Sequence, residues 1–159
     1  DKARQRVVCN EHFDLLAAAI TTSDWKELNR LGERYNKICI GVFGTAEDAA
    51  GHEQIASASV ELGDFRKALT ASEKCIALYY ATAGCHISKT RSLIGLRRVS
   101  DAKSSLAIAE KLIERRLQVV AGQSAANAPA SKREELREAL NLLKAQGENA
   151  ASIKARHFQ

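Results

Sequence analysis

The chain has 159 residues, of which 45% are hydrophobic and only 5% aromatic, with a single Pro and a formal net charge of +5. That length supports one domain with a core of its own, independent of a metal or a partner subunit. No apolar run approaches the roughly 20 residues of a membrane-spanning helix, and the small basic excess is interleaved with acidic residues, which does not point to nucleic acid.

Abundant Ala and scarce Pro favour helix, and helical patterns follow one another along the chain. Residues 7–20 place Val8, Phe13, Leu15, Leu16 and Ile20 in a broad apolar stripe. Thr21, Thr22, Ser23 and Asp24 interrupt it and offer N-cap oxygens to a second helix, whose face is Trp25, Leu28, Leu31, Tyr35 and Ile38. Residues 41–44 read as a loop. Thr45 with Asp48 gives a capping-box-like start to a third helix carrying Ala49, Ile55, Ala56, Val60 and Leu62, closed by Gly63.

A fourth helix holds Phe65, Ala68, Leu69, Ser72, Cys75, Ile76 and Tyr79. After a turn at residues 81–84 a fifth carries Ile87, Leu93, Ile94 and Leu96. The longest pattern covers residues 99–120, with Val99, Ala102, Leu106, Ala109, Ile113, Leu117 and Val120. Small and polar residues around Pro129 make 121–130 a linker. Ser131 and Glu134 form a capping box for a seventh helix with Leu136, Ala139, Leu140 and Leu143 on one stripe, ended by Gly147. The expected organisation is a helical domain at 1–120, the linker at 121–130, and a C-terminal helix with a frayed tail at 131–159.

One period runs through this series. Leu62, Phe65, Ala68 and Cys75 are answered 34 residues later by Leu96, Val99, Ala102 and Ala109. A weaker copy precedes them, with Ser23, Asp24, Trp25 and Leu28 standing for Gly63, Asp64, Phe65 and Ala68 at a spacing of 40 residues. A fixed period of this length marks an array of helix hairpins, each burying its apolar face on a neighbour. The Gly63, Asp64, Phe65 and Ala68 run resembles the tetratricopeptide repeat, with its turn, its bulky residue and its small packing residue. The resemblance covers residues 49–116 well and 9–40 poorly.

The resemblance implies an all-α fold: about three antiparallel hairpins, the first degenerate, in a right-handed solenoid, with the C-terminal helix as a cap. It makes Phe65 a buried aromatic at a junction of hairpins. It further implies a non-enzymatic adaptor that binds a protein or peptide in the concave groove lined by the first helix of each repeat. The matching groove positions are Glu53, Ser57, Val60 and Glu61 in the second repeat and Ile87, Arg91 and Ile94 in the third, with Asn10, Phe13, Ala17 and Ile20 in the first. For the apolar members, hairpin core is the competing reading. The alternative function is assembly, with self-association through the C-terminal helix or the convex face.

Four cysteines, Cys9, Cys39, Cys75 and Cys85, form no C-x-x-C pair. Cys9 and Cys39 are centred on position 24 and Cys75 and Cys85 on position 80, each close to a turn. Residues equidistant from the turn of an antiparallel hairpin face one another, so the expected disulfides are Cys9–Cys39 and Cys75–Cys85. Disulfides place the chain in an oxidising, extracytoplasmic compartment, periplasmic or secreted. Four buried free thiols are the other reading. The chain starts at Asp1 and contains no Met, which reads as a missing start, either trimmed or removed with a targeting segment.

The residues offer no catalytic constellation, metal-ligand set or phosphate-binding motif, and no cofactor is expected. His12, His52 and His86 fall at equivalent places in the three repeats, a row set by the architecture, since helices some 8–10 Å apart do not easily bring three imidazoles to one ion. Arg91, Arg97, Arg98, Lys103 and Arg115 would make an anion-binding stripe, but Asp101 and Glu114 interleave with them as on a solvated helix face.

Overall fold

The computed structural model describes residues 1–123 together with Asn141 and Ala145. Residues 1–123 form α1 (Lys2–Thr21), α2 (Trp25–Cys39), α3 (Thr45–Glu61), α4 (Phe65–Leu78), α5 (Ala83–Gly95) and α6 (Val99–Gln123). No strand occurs among the described residues. Each helix packs against the next, and α3 also touches α5.

Three turns share one geometry. Ser23, Gly63 and Arg97 have positive φ, of 53°, 77° and 61°. The next amides, of Asp24, Asp64 and Arg98, donate to the carbonyls of Ala19, Ser59 and Leu93 at 2.9, 2.9 and 2.8 Å. The amides of Ser23, Gly63 and Arg97 donate to Ile20, Val60 and Ile94 at 3.0, 3.1 and 2.9 Å. This pair of bonds is the Schellman arrangement, which satisfies carbonyls a helix end would otherwise leave unpaired. Asp24 and Asp64 then cap the following helices, accepting from the amides of Glu27 and Lys67 at 3.2 Å each. At the third turn Arg98 has no oxygen to offer; it pairs instead with Asp101 at 2.9 Å.

Beyond the turns, packing follows the same register. Leu28, Ala68 and Ala102 are fully buried, as are Tyr35, Cys75 and Ala109. The α1/α2 core gathers Cys9, Leu16, Leu28, Leu31, Tyr35 and Cys39, with Phe13, Trp25 and Phe43 against it. A second cluster joins Ile87 of α5 to Leu106, Ala109 and Ile113 of α6. α5 buries Ser88, Thr90 and Ser92. This is tolerable because Thr90 and Ser92 donate to carbonyls one turn back, of His86 and Ser88, at 2.8 and 2.7 Å.

Cys9 pairs with Cys39 across α1 and α2, and Cys75 with Cys85 across α4 and α5, at Cα–Cα distances of 5.7 and 6.3 Å. The symmetry of each pair about its turn is thus what the fold uses, and no cysteine is free.

Several expectations change, and Leu62, Tyr79 and Val99, expected on apolar helix faces, are exposed. The buried face of α1 is Cys9, His12, Leu16 and Ala19, whereas Val8, Leu15 and Ile20 of the expected stripe are exposed. The link to Cys39 turns the Cys9 side inward and carries residues three, seven and ten positions on with it. Phe65 is half-buried, its ring against Gly95, where an added methyl would strike it. Thr45 and Asp48 do not cap α3: Gly44 holds the N-cap position, and Asp48 accepts from the Gly41 amide at 2.8 Å, closing the loop before the helix. α6 continues to Gln123, past the expected end at Val120. Apart from 121–123, Asn141 and Ala145, the expected linker, seventh helix and tail lie outside the described residues.

Candidate functional site

The expected groove residues lie on α3 and α5, which touch. Arg91 Nη2 donates to Glu61 Oε1 at 3.0 Å, tying the two helices at one point. Ser57, Arg91 and Ile94 are half-buried and Glu61 is exposed. Val60 and Ile87 are buried, at 6% and 7% exposure, and Ile87 belongs to the α5/α6 core. The accessible part of the set is therefore polar, apart from Ile94. In α1, Asn10, Ala17 and Ile20 are exposed, and Phe13 is half-buried with its ring 5.1 Å from Tyr35 and 6.0 Å from Phe43.

Glu53 stands apart. It is half-buried, with Oε1 so close to the backbone of Gly84 that a methyl there would collide with it. This places the carboxyl at the first turn of α5, whose dipole favours negative charge. Burial nevertheless wins and pushes the carboxyl above its ordinary pKa of 4.5. Glu53 has no hydrogen-bond or ion-pair partner among the described residues. It lines a cleft of about 280 Å³ with Tyr79, Thr82, Leu112 and Arg116, walled on one side by the C-terminal part of α6.

A larger cleft, of about 570 Å³, opens on another side of α3, between α2 and α4. Glu33, Asn36 and Lys37 come from α2, His52 and Ile55 from α3, and Arg66, Lys67, Thr70, Ala71 and Lys74 from α4. Glu33 and Lys67 pair at 2.7 Å. Asn36 Nδ2 and His52 Nδ1 lie 3.2 Å apart, within hydrogen-bond distance. Gly51 makes room for the Asn36 amide, since a Cβ there would overlap it, and Gly32 lets α2 approach α3, with Ile55 Cγ1 2.8 Å from its missing Cβ.

The histidine row is built into the packing. His12 and His86 are buried and His52 half-buried. Burial is the main cause holding all three imidazoles below their usual 6.5, with Arg34 adding to the effect at His12, Lys74 at His52 and Lys89 at His86. His86 Nε2 donates to the Tyr80 carbonyl at 2.9 Å, which opposes the shift without reversing it. No group of three or more His, Cys, Asp or Glu side chains is arranged to hold a metal among the described residues. None of the described helices is long and apolar enough to cross a membrane.

Sequence reasoning missed the larger cleft. Its one linear signal is Arg66, Thr70 and Lys74, spaced by four residues along one face of α4. Comparison with family models, curated proteins and solved structures found no match to this chain.

Proposed function

We propose that the chain is a tetratricopeptide-like repeat domain and acts as an exported, non-enzymatic adaptor that binds a protein or peptide. In this reading α1/α2, α3/α4 and α5/α6 are three hairpins of a right-handed solenoid, the first degenerate, with a C-terminal capping helix. The single observation that carries it is the threefold recurrence of one Schellman turn, followed at fixed distance by the same buried positions. Under that register α3 and α5 are successive first helices, and Ser57, Glu61, Arg91 and Ile94 are the accessible part of their shared face. Two cysteine pairs support an oxidising compartment.

An extended peptide on this face would set an apolar side chain on Ile94 and compete for the Glu61–Arg91 pair, which fixes its direction through charge. The test is a peptide selected from a random library on the oxidised protein and titrated by fluorescence anisotropy. Arg91→Glu should weaken binding at least tenfold, as for loss of a charged hydrogen bond, while Lys103→Glu on α6 leaves it unchanged. Equal losses would indicate diffuse electrostatics and refute the assignment. Self-association, the competing reading, draws on Val7 and Leu15, which α1 leaves exposed; a mass that rises with concentration in analytical ultracentrifugation would favour it.

A further inference from the structure

The cleft between α2 and α4 concentrates positive charge over an apolar floor. Lys37 enters from α2, and Arg66 and Lys74 from α4. Among the described residues none of these three has an ion-pair partner, whereas Lys67 on the same rim is already neutralised by Glu33. Three unmatched cations brought together from two helices repel one another, an arrangement that a bound anion relieves. Beneath them, Ile55 and Ala71 are buried and supply the apolar floor.

Neutral donors complete the set. Thr70 brings a hydroxyl and His52 an imidazole, whose Nδ1 lies 3.2 Å from Asn36 Nδ2. The Asn36 amide is wedged against Gly51, which holds it beside the ring. Burial, with Lys74 nearby, lowers the pKa of the ring and favours its neutral form. The volume, about 570 Å³, is within the range of small-molecule sites.

We infer that this cleft binds a small phosphate monoester, its dianion held by Lys37, Arg66 and Lys74 and its organic body resting on Ile55 and Ala71. Three cations exceed what a single carboxylate would neutralise, and the planar guanidinium of Arg66 suits paired phosphate oxygens. A patch of surface cations alone would attract anions without regard to the rest of the molecule; the apolar floor makes the body matter. This site is independent of the α3/α5 face, so each stands or fails alone.

Phenyl phosphate is the probe, titrated calorimetrically into the oxidised full chain at low and moderate salt. It should bind more tightly than inorganic phosphate and than benzoate, and phenol should not bind detectably. Lys74→Glu and Arg66→Glu should each weaken it about tenfold or more, while Lys111→Glu, an equal charge change on α6, should leave it unaltered. Thr70→Trp fills the cleft without changing charge and should abolish binding. All four substituted residues are exposed, so folding is retained and checked by circular dichroism. No binding of phenyl phosphate at millimolar concentration overturns the inference. So does binding that survives Thr70→Trp, or that falls equally with Lys111→Glu, either of which would make the effect diffuse electrostatics.

Discussion

Replacing Arg97 with glycine should stabilise the protein, although it removes a charged side chain and adds no contact. Arg97 occupies the place that Gly63 holds in the preceding repeat, with φ of 61° against 77°. A side chain in this left-handed region costs roughly 1–2 kcal/mol in the folded state. Glycine's greater freedom in the unfolded chain offsets about 0.4–1 kcal/mol of any gain from removing it. The difference of the midpoints leaves a stabilisation of about 0.8 kcal/mol for Arg97→Gly, and a similar value for Ser23→Gly. Gly63→Ala should lose about as much, since a Cβ there meets nothing within 4 Å and only the backbone is tested. Ser23 and Arg97 lie in separate turns, so the double substitution should gain about 1.6 kcal/mol by simple additivity. Urea denaturation followed by far-UV circular dichroism measures all four, with unchanged m-values showing that the surface exposed on unfolding is the same in each. A destabilising Arg97→Gly, or a neutral Gly63→Ala, would refute the equivalence of the turns and with it the repeat register.

Three further outcomes follow from burial and connectivity. Glu53→Gln should raise stability at pH 7, because the carboxyl loses its proton less readily when folded; that penalty grows as pH rises above 4.5 and is absent below it, so the gain should vanish in an acid denaturation series. His12, His52 and His86 act in the opposite sense: with folded pKa values held below 6.5, stability should be complete above about that pH, decline as pH falls through it, and level off below the folded values, which NMR titration of the imidazoles would locate. Removing the Cys9–Cys39 link, with a sequence separation of 30, should cost about 3.6 kcal/mol by loop-closure entropy, and removing Cys75–Cys85, with a separation of 10, about 2.7 kcal/mol. A larger loss from the second pair in denaturant melts would contradict that ordering.

Much of the helical framework was legible because its signals are local. Asp24 and Asp64 cap helices with their own oxygens, Gly63 takes the positive φ a helix end requires, and each cysteine pair is symmetric about a turn. The rotation of α1 was not legible from its apolar pattern, since Val8 and Leu15 are as apolar as Leu16; the signal that selects the buried side was the expected link to Cys39. Asp48 misled in the same way: its oxygen can serve a helix start or a preceding loop, and the position of Gly41 decides for the loop. For the candidate site, the repeat resemblance singled out Ser57, Glu61, Arg91 and Ile94, which lie on adjoining helices, but could not tell that Val60 and Ile87 spend their surface on packing. The basic cleft escaped because Lys37, His52 and Lys74 come together only when three helices pack.

The most direct test of the adaptor reading is where a selected peptide touches the protein. Amide chemical shifts of the isotope-labelled, oxidised chain, titrated with that peptide, report contact residue by residue. The proposed function predicts perturbations concentrated at Ser57, Glu61, Arg91 and Ile94 and extending along α1 to Ala17 and Ile20, with α2 and the exposed side of α6 near Lys111 unmoved. Perturbations centred on α2 and α4, or confined to Val7, Val8 and Leu15 of α1, would contradict it.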